Sequence, residues 1–241
     1  MIRQLLAAIS FLTAIPAGRS AFDSKEIARS ARWFPLVGAV LGAVYVGIVR
    51  LFSPWFPASI VAILIILAEA LLTGGLHFDG LADTADGLGG GRTPEDALRI
   101  MRDHAIGSYG AIALIIMILI KALAMSVLIE RHQAERYLFL APVLGRWSTV
   151  LLGCALPYAR PGSAVSNQMG KTELAIATIL MVAVTAVAGV RGAVCVAIAL
   201  GASAVCGYLY KRKIKGVTGD TLGATVEITE ALTLLAGVVL R

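Results

Sequence analysis

Long apolar runs alternate with short polar segments along the whole chain. Seven runs cover approximately residues 36–52, 58–76, 108–129, 137–156, 174–190, 192–210 and 222–240. A transmembrane α-helix needs about 20 predominantly apolar residues to cross the ~30 Å hydrocarbon core of a bilayer, and most of these runs approach that length. The pattern therefore predicts an all-α fold, a polytopic transmembrane helical bundle of about six or seven spanning helices.

The first 35 residues do not fit this pattern. The apolar stretch MIRQLLAAISFLTAI is too short to span a bilayer comfortably and lacks a cleavage site of the Ala-x-Ala type. We expect residues 1–35 to form an amphipathic surface helix or a re-entrant element. Because no segment is both polar and long enough for a soluble domain, residues 1–241 are expected to form a single integral-membrane domain.

Composition agrees with a membrane protein. The chain is 58% hydrophobic and 15% charged, whereas an ordinary soluble domain is about 45–50% apolar and about 25% charged. The formal net charge of +6 does not indicate nucleic-acid binding, because the basic residues gather at the ends of the apolar runs. We therefore expect a lipid bilayer, and no nucleic acid, among the partners.

The distribution of basic residues predicts the orientation of the bundle. Segments 1–35, 77–107, 157–173 and 211–221 together hold fourteen Lys and Arg residues, and the opposite loops hold three. Cytoplasmic loops carry the excess of positive charge in membrane proteins. These four segments are therefore expected on the cytoplasmic side, which makes segment 77–107 an Asp-rich cytoplasmic loop.

Three aspartates in this segment have helical spacing. The stretch GGLHFDGLADTADGLGGGRTPEDALRIMRDHAIGSYG, residues 74–110, holds six of the fifteen acidic residues. On a helix, Asp79, Asp83 and Asp86 share one face over about 10 Å, where their like charges repel. Mg²⁺ or Mn²⁺ removes this repulsion and accepts hard oxygen ligands. The pattern indicates a metal site on these three residues rather than a solvated acidic loop.

Neighbouring residues are assigned to the same chemistry. We expect Asp83 and Asp86 to act in catalysis as well as in metal binding. Gly80 and Gly87 are expected to leave backbone room for a bulky ligand.

Acidic residues in and beside the apolar runs are further candidates. Glu227 and Glu230 lie three apart in the last run, Asp220 stands at its entrance, and Glu69 lies in the second run. Ionisable residues within a membrane are costly and often functional, although a structural pair within the bundle is an alternative. Asp220 and Glu227 are expected to complete a second metal position or to bind through water.

Basic groups are needed opposite a phosphorylated ligand. Arg102 and Arg146 are candidates for gripping phosphate oxygens, preferably through bidentate hydrogen bonds. For Arg146, pairing with a buried glutamate is the alternative. His104 is a candidate catalytic proton carrier, and His77 is a candidate substrate-binding residue.

Several motifs resemble one family. The stretches GGLHFDGLADTADGL, IMRDHAIGSYG and GVTGDTLGATVEITE, in this order and spacing, are similar to those of the cobalamin synthase family (the adenosylcobinamide-GDP ribazoletransferases), and FLTAIP and WFPLVGAVLG fit the same pattern. The resemblance covers essentially the whole chain, and its motifs are long and specific.

The resemblance implies a specific reaction and location. Members of this family are multi-pass enzymes of the bacterial inner membrane, and the charge pattern above predicts that the active site faces the cytoplasm. They join adenosylcobinamide-GDP to α-ribazole or its 5′-phosphate, release GMP and require Mg²⁺. A homo-oligomer is a possible state. The family pattern DGxADxxDG falls on Asp79, Gly80, Ala82, Asp83, Asp86 and Gly87, and TGDTLGAxxE falls on residues 218–227, from Thr218, a candidate substrate-binding residue, to Glu227.

Two other functions stay open at this stage. A CDP-alcohol phosphotransferase also displaces a nucleoside monophosphate with an alcohol, but its Asp-Gly-x-x-Ala-Arg pattern is not followed here, where Asp83 and Thr84 stand at the last two positions. A cation transporter would use Glu69, Glu227 and Glu230 as an ion path at the bilayer midplane. Most of the acidic residues lie at one surface instead.

Overall fold

The computed structural model describes residues 2–17, 22–160 and 169–240. These residues form α-helices connected by short turns, which confirms the predicted all-α fold. The helices are α1 (Ile2–Leu12), α2 (Ser24–Ser30), α3 (Phe34–Phe52), α4 (Ala58–Thr73), α5 (Leu76–Gly90), α6 (Pro94–Ile100), α7 (Ser108–Glu130), α8 (Ala134–Ala155), α9 (Lys171–Ala186), α10 (Gly189–Ile214) and α11 (Gly219–Val239), with a 3₁₀ turn at Ala31–Trp33 between α2 and α3.

Five helical segments among the described residues are long and apolar enough to cross a membrane by themselves. They are Lys25–Phe52, Ser108–Glu130, Ala134–Ala155, Gly189–Ile214 and Gly219–Val239. A sixth is counted if α4 and α5 together form one broken span. The predicted run 174–190 is represented by α9, which has only 16 residues. The sequence predicts six or seven spans, and the described residues contain five, or six if the α4–α5 pair is counted.

Helix α8 forms the centre of the bundle. Most of its side chains are buried, and it packs against α3 on one side and α11 on the other. Glycines allow α3 to approach closely, because a Cβ atom at Gly42 would lie 2.8 Å from the Cα of Phe139. Small residues at such positions let helices pack backbone to backbone in membranes.

The chain changes direction sharply between α4 and α5, so the acidic helix α5 does not continue along the axis of α4. Gly74 and Gly75 have φ angles of 63° and 73°, a left-handed conformation that glycine adopts without a Cβ penalty. Helices α4 and α5 consequently meet at 90°. The segment that the charge pattern treats as a loop is thus mostly helical, and its aspartates lie on a rigid element at the end of α4.

Three of the segments assigned to one side of the membrane meet at one end of the bundle. The backbone of Tyr158 pairs with that of Val217 in an isolated β-bridge, and α6 packs against α10. The amino-terminal helix α1 covers the neighbouring surface, where the ring of Phe11 stacks on that of Phe34 with centroids 5.8 Å apart. This end of the bundle carries the candidate site.

Candidate active site

Helices α5 and α11 touch through their backbones at one glycine. A Cβ atom at Gly80 would lie 2.7 Å from the carbonyl oxygen of Asp220 and 3.2 Å from the Cα of Gly223. The contact brings the Asp79–Gly87 motif and the start of the Thr218–Glu227 motif together, although they are far apart in sequence.

The same geometry corrects the role expected for two glycines. Gly80 does not leave room for a ligand, because α11 occupies the space beside it. Gly87 is also buried, and a Cβ there would lie 2.8 Å from the carbonyl oxygen of Ala97 on α6. Both glycines serve helix packing, which fixes the position of the aspartates between them.

Asp83 is half-buried, and exposed Asp79 and buried Asp86 lie on the same helix on either side of it. Burial, followed by the charges of Asp79 and Asp220, raises the pKa of Asp83 from 3.8 to about 6, and the nearby guanidinium of Arg160 acts in the opposite direction. We call Asp79, Asp83, Asp220 and Arg160 the aspartate site. An excess of negative charge at one place is the condition under which a cation binds favourably.

Asp86 has two backbone partners. Its Oδ2 accepts a hydrogen bond from the amide of Gly107 at 2.7 Å, and its Oδ1 accepts one from the amide of Gly110 at 2.8 Å. These amides belong to the first turn of α7, which has no acceptors for them within the helix. Asp86 therefore anchors α7 to α5, and its expected role in metal binding and catalysis stays a prediction.

The start of α11 positions Asp220. The hydroxyl of Thr218 accepts a hydrogen bond from the amide of Thr221 at 3.2 Å and donates one to Asp220 Oδ2 at 3.3 Å. Thr218 is completely buried, so it holds Asp220 and the first turn of α11 in place. This corrects the expectation that Thr218 binds substrate directly.

Arg160 is the cation at the aspartate site that sequence reasoning missed. Its Nη2 donates a hydrogen bond to Asp220 Oδ2 at 2.5 Å, and its buried Nε has no partner among the described residues. The pairing of Ala159 N with Val217 O at 2.8 Å holds Arg160 beside α11. Nothing in the sequence signals this pairing, because segments 157–160 and 214–217 carry no motif that links them.

Arg102 and His104 lie exposed in the turn between α6 and α7. We expect Arg102 to contact phosphate and His104 to carry a proton. Within the described ranges, neither side chain forms a hydrogen bond or an ion pair. The anchored amide of Gly107 keeps this turn close to α5. Their roles stay predictions.

A second charged cluster lies in the interior of the bundle. Lys121 Nζ donates to Glu69 at 2.7 Å, to Glu227 at 2.9 Å and to Glu230 at 2.8 Å, and Arg146 forms an ion pair with Glu230. All five side chains are almost completely buried. We call them the interior charge cluster; its members are Glu69, Lys121, Arg146, Glu227 and Glu230.

The interior charge cluster corrects two expectations. Arg146 is paired inside the bundle and does not reach a surface where it would contact phosphate. Glu227 faces the ammonium group of Lys121 rather than a metal position beside Asp220. Carboxylate oxygens of Glu69, Glu227 and Glu230 lie within 4.8 Å of one another, as in a metal site, but the Lys121 ammonium group already binds all three. We therefore favour the aspartate site for a metal.

The donor set of the aspartate site suits Mg²⁺. Asp79, Asp83 and Asp220 offer only hard oxygen atoms, which this ion prefers. Mg²⁺ usually binds through one or two carboxylates together with water and substrate phosphates, so a close protein cage is not required. The oxygen atoms of these residues are therefore chemically suited to a Mg²⁺ ion.

Two cavities border Asp79. One has a volume of 260 Å³ and is lined by His77, Asp79 and Asp220 together with mostly apolar side chains. The other is a more open depression of 500 Å³ on the side of Phe78 and Ile106. His77 lines the first cavity, while its Nδ1 lies 3.4 Å from Arg146 Nη2, so it connects the interior charge cluster with the aspartate site.

The comparisons with known proteins agree on one family. The model of the family described as cobalamin-5-phosphate synthase matches residues 4–238. A protein of Klebsiella pneumoniae (strain 342), named adenosylcobinamide-GDP ribazoletransferase, is 38% identical over 98% of this chain and 99% of its own length.

Proteins of the same name from other bacteria are similarly related. The one from Chlorobaculum tepidum is 40% identical over 96% of this chain and 93% of its own, and the one from Prosthecochloris aestuarii is 36% identical over 96% of both. None of the solved structures matches the chain. With a family match over nearly its whole length and relatives well above 30% identity, the chain belongs to the cobalamin-5-phosphate synthase family.

Proposed function

We propose that this protein is an integral-membrane adenosylcobinamide-GDP ribazoletransferase. It joins adenosylcobinamide-GDP to α-ribazole or α-ribazole 5′-phosphate and releases GMP, so that adenosylcobalamin or its 5′-phosphate forms. The observation that carries the proposal is the aspartate site, in which the two motifs of the chain meet at the Gly80 contact. The relatives that bear this name match the chain over nearly their full lengths.

The reaction is a substitution at phosphorus. A ribose hydroxyl of the acceptor forms a new bond to the phosphorus that carries the cobinamide, and the bond from this phosphorus to the bridging oxygen breaks. GMP leaves with the bridging oxygen and its electron pair, and the hydroxyl proton passes to a base. Charge develops on the phosphoryl oxygens and on the departing GMP, so the site must supply positive charge.

The residues of the aspartate site divide this work. Asp79 and Asp220 would hold Mg²⁺, and the charge of Asp83 beside them would favour its binding. Asp220 would use Oδ1, because its Oδ2 already accepts hydrogen bonds from Arg160 and Thr218. The ion would neutralise the diphosphate oxygens. Arg160 donates to Asp220 through Nη2, and the remaining N–H groups on its two Nη atoms can donate to phosphate oxygens. Asp83 is our candidate for accepting the hydroxyl proton, because burial raises its pKa to about 6 in the metal-free protein.

The location follows from the same elements. The apolar helices are consistent with a bacterial inner membrane, and the excess of Lys and Arg in segments 77–107 and 211–221 supports a cytoplasmic position for the aspartate site. Both substrates would then reach the site from the cytoplasm or from the membrane surface.

The test measures GMP release by the purified protein in lipid nanodiscs. With Mg²⁺, GMP should appear only when adenosylcobinamide-GDP is present together with α-ribazole or its phosphate. One GMP should be released for each cobalamin product formed. Release of GMP without an acceptor would indicate a hydrolase, and no release by folded protein would contradict the proposal. Reaction with a CDP-linked alcohol instead would favour the CDP-alcohol phosphotransferase function.

A further inference from the structure

The smaller cavity beside Asp79 has an apolar interior and a polar mouth. Phe11 and Leu12 on α1, Phe34 on α3 and Leu222 on α11 line its walls. The rings of Phe11 and Phe34 stack with only 12° between their planes, which gives the cavity an aromatic wall. Asp79 and Asp220 line the same cavity, so a molecule bound inside it lies next to the aspartate site.

The size of this cavity restricts its ligand. Pockets for drug-sized ligands measure about 300–1,000 Å³, and this one measures 260 Å³. It is therefore too small for a corrin macrocycle or for a complete nucleotide. A planar bicyclic ring system is of suitable size.

Few polar groups line the buried part of the cavity, and two of them face protein partners. The hydroxyl of Thr149 donates to the carbonyl oxygen of Arg146 at 2.7 Å, and His77 Nδ1 faces Arg146 Nη2 at 3.4 Å. A guanine base has several donors and acceptors on its edges, and burying them without partners is costly. A benzimidazole ring with methyl groups on its far edge has no such requirement.

We propose that this cavity binds the dimethylbenzimidazole base of the acceptor, with the methyl groups directed inward and the ribose at the mouth. The assignment rests on the proposed function, because it concerns the acceptor of that reaction. It also gives a reason for the position of the site: a base held in the cavity places the ribose hydroxyl next to Asp79 and Asp220.

The first measurement varies the base of the acceptor with unchanged protein. Each buried methyl group contributes about 0.8 kcal/mol, so removing both should lower kcat/KM about tenfold. The riboside of unsubstituted benzimidazole should therefore react about tenfold less efficiently than α-ribazole. Equal kcat/KM values for the two acceptors would overturn the proposal.

The second measurement changes the cavity. In Leu222→Trp a larger side chain fills part of it, so kcat/KM for α-ribazole should fall at least tenfold while the unsubstituted riboside is affected much less. Leu222→Ala should instead accept the bulkier naphthimidazole riboside with a higher kcat/KM than the unchanged protein does. The KM for adenosylcobinamide-GDP should stay within about twofold in both variants, because the corrinoid lies outside the cavity.

The matched control is Leu235→Trp, which places the same side chain on an exposed position of the same helix and should leave the preference among acceptors unchanged. An unaltered preference in both Leu222 variants, or an effect confined to adenosylcobinamide-GDP, would overturn the proposal. Failure of the proposed function itself looks different, since the unchanged protein would then convert none of the acceptors. If Leu222→Trp does not fold, the acceptor series and the Leu222→Ala variant still test whether the cavity binds the base.

Discussion

Arg160 and Asp220 form an ion pair in which the guanidinium Nη2 lies 2.5 Å from the carboxylate Oδ2. The pair joins the segment that follows α8 to the first turn of α11, beside the aspartates of α5. Because Asp220 Oδ2 also accepts the Thr218 hydroxyl, the geometry fixes both a cation and an anion at the place where a diphosphate is expected.

The first prediction concerns Arg160. Arg160→Gln should lower kcat/KM for adenosylcobinamide-GDP about 10- to 150-fold, since a hydrogen bond to a charged group contributes about 1.5–3 kcal/mol. The KM of the corrinoid nucleotide should rise more than that of the acceptor. Steady-state kinetics of GMP release provide the measurement.

Arg102→Gln is the matched comparison for Arg160. Arg102 is exposed in the turn before α7, and its predicted contact with phosphate competes with the role given to Arg160; we expect its substitution to lower kcat/KM less than Arg160→Gln does. If Arg102→Gln lowers kcat/KM more than Arg160→Gln does, Arg102 rather than Arg160 contacts the phosphate groups.

A second prediction follows from the raised pKa of Asp83. The folded protein holds the Asp83 proton up to a pH of about 6, whereas the unfolded chain releases it near the ordinary value of 3.8. The folded state therefore binds more protons between these two values, and the free energy of unfolding should fall as the pH rises through this range. Asp83→Asn should reduce this dependence and raise the melting temperature of metal-free protein at pH 7.5.

Activity should respond in the opposite direction. Because the ionised form of Asp83 binds metal or accepts the proton, kcat/KM should increase with pH as Asp83 ionises. Bound Mg²⁺ should move this increase below the pH of about 6 that holds for the metal-free site. Asp83→Asn should lose turnover by orders of magnitude at every pH. A variant that is both less stable than the unchanged protein at pH 7.5 and fully active would contradict the assignment.

The third prediction uses the two glycines at the crossing of α5 and α11. Gly80→Ala puts a Cβ within 2.7 Å of a backbone oxygen of α11, whereas Gly223→Ala meets its neighbours at an ordinary 3.5 Å. Overpacking of this kind costs about 1–3 kcal/mol. We expect Gly80→Ala to lower both the melting temperature and the turnover, and Gly223→Ala to change both only slightly. Equal tolerance of the two substitutions would show that the helices do not touch as described.

The fourth prediction concerns the interior charge cluster. Lys121→Met leaves three buried carboxylates facing one another, and removing one partner of a buried ion pair costs about 3–5 kcal/mol. The variant should therefore unfold at much lower temperature or denaturant concentration in detergent, whereas Lys121→Arg, which keeps the charge, should lose less. Proton or sodium flux through liposomes that depends on Glu227 but not on Asp83 would favour the transporter function instead.

The apolar runs were sufficient to predict the helical bundle, whereas the metal site on the aspartates stays a prediction. Repeated helical spacing predicts a shared face for Asp79, Asp83 and Asp86 because it is a local property of the chain. The turn at Gly74 and Gly75 was not predicted, since a pair of glycines allows many conformations and only tertiary packing selects the 90° corner.

Contacts between distant segments account for the remaining differences. Arg146 and Arg160 are both arginines near apolar runs, and only the fold shows that Arg146 pairs with Glu230 in the interior while Arg160 reaches Asp220. Likewise, the glycines of the aspartate motif are compatible with either a ligand or a packed helix. Their role depends on α6 and α11, whose positions the local sequence does not specify.

The most direct test of the account measures cation binding at the aspartate site. Mn²⁺, observed by electron paramagnetic resonance, can replace Mg²⁺ because it prefers the same oxygen ligands. The account predicts that the protein with adenosylcobinamide-GDP binds Mn²⁺, that Asp79→Asn and Asp83→Asn weaken this binding at least about tenfold, and that Glu227→Gln leaves it unchanged. Undiminished Mn²⁺ binding in both aspartate variants, together with its loss in Glu227→Gln, would place the metal in the interior charge cluster and contradict the account.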